Sequence, residues 1–244
     1  MPAELILVHG FTQTGRSWQP VLHALGGRYR ALAPDLPGHG DFAARRPASF
    51  AACDAYLGAL AGDRRITLAG YSLGGRVALH AGLSLGDRVE RLVLISASPG
   101  LANASERGAR AAADAALADR IEAIGLDAFV REWGAQPLFA GMPRGIAELA
   151  EADRMRNTAE GLAAALRGLG TGVMPSLWNR LEELTVAVDL VVGERDLKFR
   201  AIAERMQAAL PDAKLHVVPG AGHAVQLEVP GAVADVLAAA GTEG

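Results

Sequence analysis

Short apolar runs separated by amphipathic stretches recur along the chain, and this alternation limits what it can fold into. Leu5-Ile6-Leu7-Val8, Tyr29 to Ala33, Ile66 to Ala69, Leu92 to Ile95, Val186 to Val192 and Lys214 to Val218 read as strands. Hydrophobicity that is continuous rather than alternating means that both faces of a strand are buried, as in a parallel sheet covered on both sides. Arg16–Leu25, Pro47–Leu60, Leu73–Leu83, Phe199–Leu210 and Gln226 to about Ala239 carry helical patterning, with Ser49 placed as an N-cap. The rhythm breaks between about Pro99 and Pro175, where Ala, Arg and Glu recur at helical spacing and no strand-like run occurs. The expected class is α/β, with a mostly parallel sheet of about six strands and helices on both faces. The expected core is 1–98 and 176–244, and 99–175 forms a helical cap over the sheet's carboxyl edge.

At 244 residues, half of them hydrophobic, the chain can bury one large core without disulfides or metals. A net charge of -3 with both signs dispersed gives no long-range pull toward nucleic acid or anionic membranes. The single cysteine, Cys53, allows no intrachain disulfide, and no CxxC or HExxH spacing occurs. No metal site is expected. The N-terminus lacks the basic start of a secretory signal, and no run approaches the roughly 20 apolar residues of a membrane helix. The expectation is a cytoplasmic protein with neither nucleic-acid nor membrane partners. The sequence leaves the oligomeric state open, a monomer included.

Gly70-Tyr71-Ser72-Leu73-Gly74 follows the third strand and opens a helix. A sharp strand-to-helix turn lifts the serine hydroxyl above the sheet beside the helix N-terminus, and only glycine fits its crowded flanks. The element resembles the nucleophile elbow of α/β-hydrolases. A serine hydroxyl is inert until a histidine takes its proton and an acid orients that histidine. In that fold the order is Ser, acid, His. Val186–Val192 runs into Gly193-Glu194-Arg195-Asp196, which makes Asp196 the candidate acid, with Glu194 as fallback and Asp189 less suited inside the strand. The alternative for Asp196 is an N-cap of the helix that follows. Among six histidines, His223 follows the last strand in the glycine-hinged Pro219-Gly220-Ala221-Gly222-His223. His9 closes the first strand, His39 lies in a loop, His23 and His80 lie on helices, and His216 lies in a strand. The backbone N–H groups of Leu73 and Phe11 are the candidate oxyanion hole.

His9-Gly10-Phe11-Thr12-Gln13-Thr14-Gly15-Arg16-Ser17-Trp18, Pro34-Asp35-Leu36-Pro37-Gly38-His39-Gly40, the elbow with Gly75-Arg76, Trp133-Gly134-Ala135-Gln136-Pro137-Leu138-Phe139-Ala140, Arg156-Asn157 and Gly193-Glu194-Arg195-Asp196-Leu197-Lys198-Phe199-Arg200 are similar to the 2-succinyl-6-hydroxy-2,4-cyclohexadiene-1-carboxylate synthase family of menaquinone biosynthesis. The similarity spans nearly the whole chain. Family members begin with a β-hairpin, whereas only Met1 to Glu4 precede the first strand here. The resemblance implies a lyase that eliminates pyruvate, with the triad as base and no cofactor. It implies a small-molecule polycarboxylate substrate, bound by Arg76, Arg110, Arg156, Trp133 and Tyr71. A substrate bearing several carboxylates suits arginine forks. Arg76 sits one helical turn past Ser72 on the same face, while Arg107, Arg154, Arg167 and Lys198 are competing cations. The alternatives are a carboxylesterase or carbon–carbon-bond hydrolase with the same triad, and a non-catalytic ligand receptor on the same scaffold.

Overall fold

The computed structural model describes residues 4–239. Six strands form one sheet: β1 (Glu4–Val8), β2 (Arg30–Leu32), β3 (Ile66–Tyr71), β4 (Val89–Ile95), β5 (Ala187–Gly193) and β6 (Ala213–Val218). They lie in the order β2-β1-β3-β4-β5-β6 with every adjacent pair parallel. The central β3 is buried throughout, whereas the edge strands β2 and β6 are mostly half-buried or exposed. Edges escape the two-sided burial that makes inner strands uniformly apolar.

Helices α1 (Gln19–Leu25), α2 (Phe50–Ala61) and α3 (Leu73–Leu85) follow β1, β2 and β3. The stretch expected as one helix from Arg16 is a 3-10 turn, Gly15–Trp18, capped by the Thr14 side chain, and then α1, with Pro at its start. Ser49 caps α2 through the Ala52 N–H. Between β4 and β5 stand α4 (Ala104–Ile124), α5 (Leu126–Gly134), α6 (Arg144–Arg154) and α7 (Ala159–Leu169). This insertion leaves and rejoins the sheet at neighbouring points: Leu177 N–H donates to Pro99 O at 2.8 Å and Trp178 Nε1 to Gly100 O at 3.0 Å. Then come α8 (Leu197–Ala209), α9 (Val225–Glu228) and α10 (Pro230–Ala238). A single last helix was expected, but Pro230 has no N–H to donate and the helix breaks there.

Alternate strand residues feed two cores. Ile6, Val8, Leu68 and Leu92 pack with residues of α2, α3 and α8, while Leu5, Leu7, Ala69 and Val93 pack with α1, α9 and α10. The insertion has a small core of its own around Ala118, Ile121, Phe129, Leu162 and Leu166. One charged cluster sits in the sheet. Arg91 on β4 is 2.7 Å from Asp189 on β5 and donates to the carbonyls of Val236 and Leu237 at the end of α10. His216 lies 2.6 Å from the other oxygen of Asp189.

Because β2 and β3 flank β1 on opposite sides, the connections reverse direction there, and the loops after β1 and β3 open toward each other. Val8 pairs with Gly70, so the segment from His9 onward and the turn at Ser72 begin side by side although they are some sixty positions apart.

Candidate active site

Ser72 occupies the turn between β3 and α3 with φ 51° and ψ -107°. A non-glycine residue held there costs about 1–3 kcal/mol. Glycine on either side makes the turn possible. A Cβ on Gly70 would strike Gly74 O, and one on Gly74 would strike Val8 O. The Ser72 N–H donates to Ile95 O at 2.9 Å, which anchors the turn on β4.

His223 Nε2 lies 3.3 Å from Ser72 Oγ, and His223 Nδ1 lies 2.6 Å from Asp196 Oδ2. His223 and Asp196 are both buried. The other carboxylate oxygen, Asp196 Oδ1, accepts from the Phe199 N–H at 3.3 Å. Asp196 therefore touches the histidine through one oxygen and caps α8 through the other. The His223 carbonyl accepts from Ser96 Oγ at 2.8 Å, and its ring stacks near Phe199 at 4.6 Å and Tyr71 at 5.3 Å. Glu194 faces elsewhere and accepts from the Gly220 N–H, and Asp189 belongs to the Arg91 cluster.

The other histidines have local partners or solvent. His9 Nε2 accepts from the Leu36 N–H at 3.0 Å and Nδ1 faces Gly10 O at 2.9 Å. Burial lowers His9, and burial together with the neighbouring His9 holds His39 well below the ordinary histidine value, so both are neutral scaffolding. His80 pairs with Asp54, and His23 is exposed.

Leu73 opens α3, where the first N–H groups lack intrahelical acceptors. Phe11 stands at the corner of a turn closed by the Gln13 N–H donating to Gly10 O at 3.1 Å. Its ring packs edge-on against Trp133 at 5.2 Å and Phe129 at 6.4 Å, both on α5.

A cavity of about 700 Å³ opens over Ser72 and His223, with Phe11, Arg76, Arg110, Trp133 and Lys198 in its wall. Arg76 donates to Leu169 O at 2.8 Å. Burial, and then the like charge of Arg110, push its guanidinium down to about 10. Arg110 donates from Nε to Asp114 Oδ1 at 2.7 Å. The Trp133 indole N–H is buried without a protein partner, an open donor beside the cavity.

Arg156 is not part of this wall. It lies on a separate groove of about 250 Å³ with Arg16, Leu149 and Leu227, its Nε 4.0 Å from Asp153 Oδ1. Helix α6 ends at Arg154, and the chain then turns, so residues two positions apart face opposite sides. Arg154, the competing cation, borders a third groove, of about 360 Å³, with Phe139 and Glu151. It is buried, with its guanidinium 4.9 Å above the Phe139 ring, and Phe139 lies 6.4 Å from His223. Its Nε has no protein partner, and burial lowers its pKa. Burial likewise raises the Tyr71 hydroxyl's pKa, with Arg154 pulling the other way. Sequence spacing alone could not choose between residues 154 and 156, because the choice depends on where α6 stops.

Residues 5–236 match the Alpha/beta hydrolase family. A Salmonella enteritidis protein named 2-succinyl-6-hydroxy-2,4-cyclohexadiene-1-carboxylate synthase is 37% identical over 96% of this chain and 92% of its own length. The chain belongs to that synthase family. A solved MenH structure from S. aureus superposes with a TM-score of 0.92 at 30% identity, covering 98% of this chain and 93% of the other. A thermophilic esterase from Thermogutta terrifontis shares the fold, with a TM-score of 0.81 at 24% identity over 96% of this chain and 88% of its own. Members of the synthase family thus share a scaffold with esterases, and the difference has to be sought in what surrounds the serine. Among the described residues, no cluster of three or more His, Cys, Asp or Glu could hold a metal, and no helix is long and apolar enough to cross a membrane.

Proposed function

We propose that this chain is a lyase that eliminates pyruvate from 2-succinyl-5-enolpyruvyl-6-hydroxy-3-cyclohexene-1-carboxylate to give 2-succinyl-6-hydroxy-2,4-cyclohexadiene-1-carboxylate. The observation that carries the reading is a serine–histidine–acid chain at 3.3 and 2.6 Å beneath a cavity whose wall carries Arg76, Arg110 and Arg205. His223 takes the Ser72 proton as Ser72 removes the ring proton next to the succinyl ketone. Charge moves onto the ketone oxygen, where the Phe11 and Leu73 N–H groups stabilise it. As the ketone re-forms, the ring double bond shifts and the carbon–oxygen bond to the enolpyruvyl group breaks. The enolate that leaves is protonated to pyruvate, and the ring gains its second double bond. Asp196 keeps His223 in the tautomer that can accept the serine proton.

Arg76, Arg110 and Arg154 take the substrate carboxylates, with Trp133 and Tyr71 against the ring. We take residues 99–175 as a cap over the core formed by 1–98 and 176–244, and cytoplasm as the setting. The wild type is expected to release pyruvate from the enolpyruvyl acid, to do so at least about 10³-fold faster than Ser72→Ala, and to turn over p-nitrophenyl esters poorly. Strong ester hydrolysis without pyruvate release would make the chain a hydrolase.

A further inference from the structure

Two side chains at and just beyond the end of α6 hold the loop that follows β1. The Thr14 N–H donates to Asp153 Oδ2 at 2.9 Å and the Thr14 hydroxyl to Asp153 Oδ1 at 2.5 Å. Asn157 Nδ2 donates to Thr12 O at 2.7 Å and to Arg154 O at 3.0 Å, while its Oδ1 accepts from the Gly40 N–H at 3.0 Å. Thr12, Thr14, Asp153 and Asn157 are all buried.

The loop so held is strained. Phe11 and Thr12 form the corners of the Gly10–Gln13 turn, and Thr12 sits at φ 69°. A corner of that kind favours glycine or asparagine, and a β-branched side chain resists it. The Thr12 hydroxyl is buried without a partner, so it contributes nothing to holding the turn. What fixes the Thr12 peptide is the amide of Asn157, reached across some 145 positions of chain.

We propose that Asp153 and Asn157 are positioning residues: from the insertion they brace the Gly10–Gln13 turn and thereby aim the Phe11 N–H at the oxygen that gains charge. This rests on the proposed reaction only in requiring such an oxygen at that place. Arg154 stands between the two on the same short stretch. The cation suited to a substrate carboxylate and the braces of the oxyanion donor therefore move as one piece, and a displacement of the insertion alters both.

The test compares Asn157→Ala, Thr14→Val and Thr14→Ser. In steady-state pyruvate release, the first two should lose about 10- to 100-fold in kcat with KM within about threefold, since misplacing a preorganised group by about 1 Å costs on that order. Thr14→Ser keeps the hydroxyl donor to Asp153 and should stay within about threefold of wild type. Amide hydrogen exchange over residues 10–14 should speed up in Asn157→Ala and Thr14→Val, with β3 and β5 as protected as before. Wild-type kcat per folded molecule in Asn157→Ala, or unchanged exchange over 10–14, overturns the proposal. If the wild type releases no pyruvate, the lyase reading fails by itself. Exchange over 10–14 then decides the brace alone: faster in both variants supports it, unchanged defeats it.

Discussion

Replacing Arg76 by methionine deletes a guanidinium while keeping most of its stem. Two effects act on the stability of the resting protein. Burial and Arg110 bring the guanidinium down to about 10. Against an ordinary value above about 12, and at about 1.4 kcal/mol per pKa unit, holding that charge costs the fold up to about 3 kcal/mol. The variant sheds this cost but loses the hydrogen bond to Leu169 O, which as a charged donor contributes about 1.5–3 kcal/mol. The two nearly cancel, so Tm should stay within about 4 °C of wild type for a chain of this size. Substrate binding has no such compensation. A guanidinium fork on a carboxylate makes two charge-assisted hydrogen bonds, and losing about 3–4 kcal/mol lowers kcat/KM by about 100- to 1,000-fold. Pyruvate release coupled to NADH oxidation reads the activity, and circular dichroism reads the melt. If kcat/KM stays within about threefold while Tm drops by more than about 8 °C, Arg76 is a bracket for the end of α7 and not a substrate ligand.

Asp196→Asn separates the two duties of that residue. Asparagine caps helices about as well as aspartate, so the melt should move by less than about 0.5 kcal/mol, while pyruvate release falls by about 10³- to 10⁴-fold because His223 is left in the wrong tautomer. A large stability loss with modest loss of turnover would leave Asp196 with the cap alone. The second expectation concerns acid. His9 and His39 are held low in the folded protein by burial. Below about pH 6.5 the unfolded chain takes up protons at these positions that the folded one refuses. Their contribution is whole above that pH and drains as pH falls toward the folded values, by up to about 1.4 kcal/mol per pH unit for each. Urea midpoints between pH 7.5 and 5 should fall, and His39→Gln should flatten the decline. An unaltered slope would exclude His39 as a source.

The sheet could be read from the chain because a strand covered on both faces leaves little room for polar side chains, and Leu5–Val8 and Leu92–Ile95 show it. Errors gathered at ends and breaks. Pro230 divides a helix whose apolar periodicity runs straight through it. Thr14 caps a short 3-10 turn that periodicity merges with α1. Ser72, Asp196 and His223 could be picked out because strand ends bring the elbow, the late acid and the last-loop histidine to one edge. Arg154 could not be told from Arg156, since their facing turns on the last residue of α6. The hold of Asn157 on Thr12 left no trace in spacing, because the partner on one side is a backbone carbonyl, which every residue carries.

The adjoining exit and return at Pro99 and Leu177 have a consequence for how such proteins diversify. Chain ends that already meet can carry a foreign bundle without disturbing the strands beneath, which makes residues between them a natural cassette for exchange. Such a graft would keep the nucleophile and its relay intact. It would also remove Asp153 and Asn157, so a transplant that ignored the strained bend at Thr12 would yield a well-folded protein with a complete triad and little turnover.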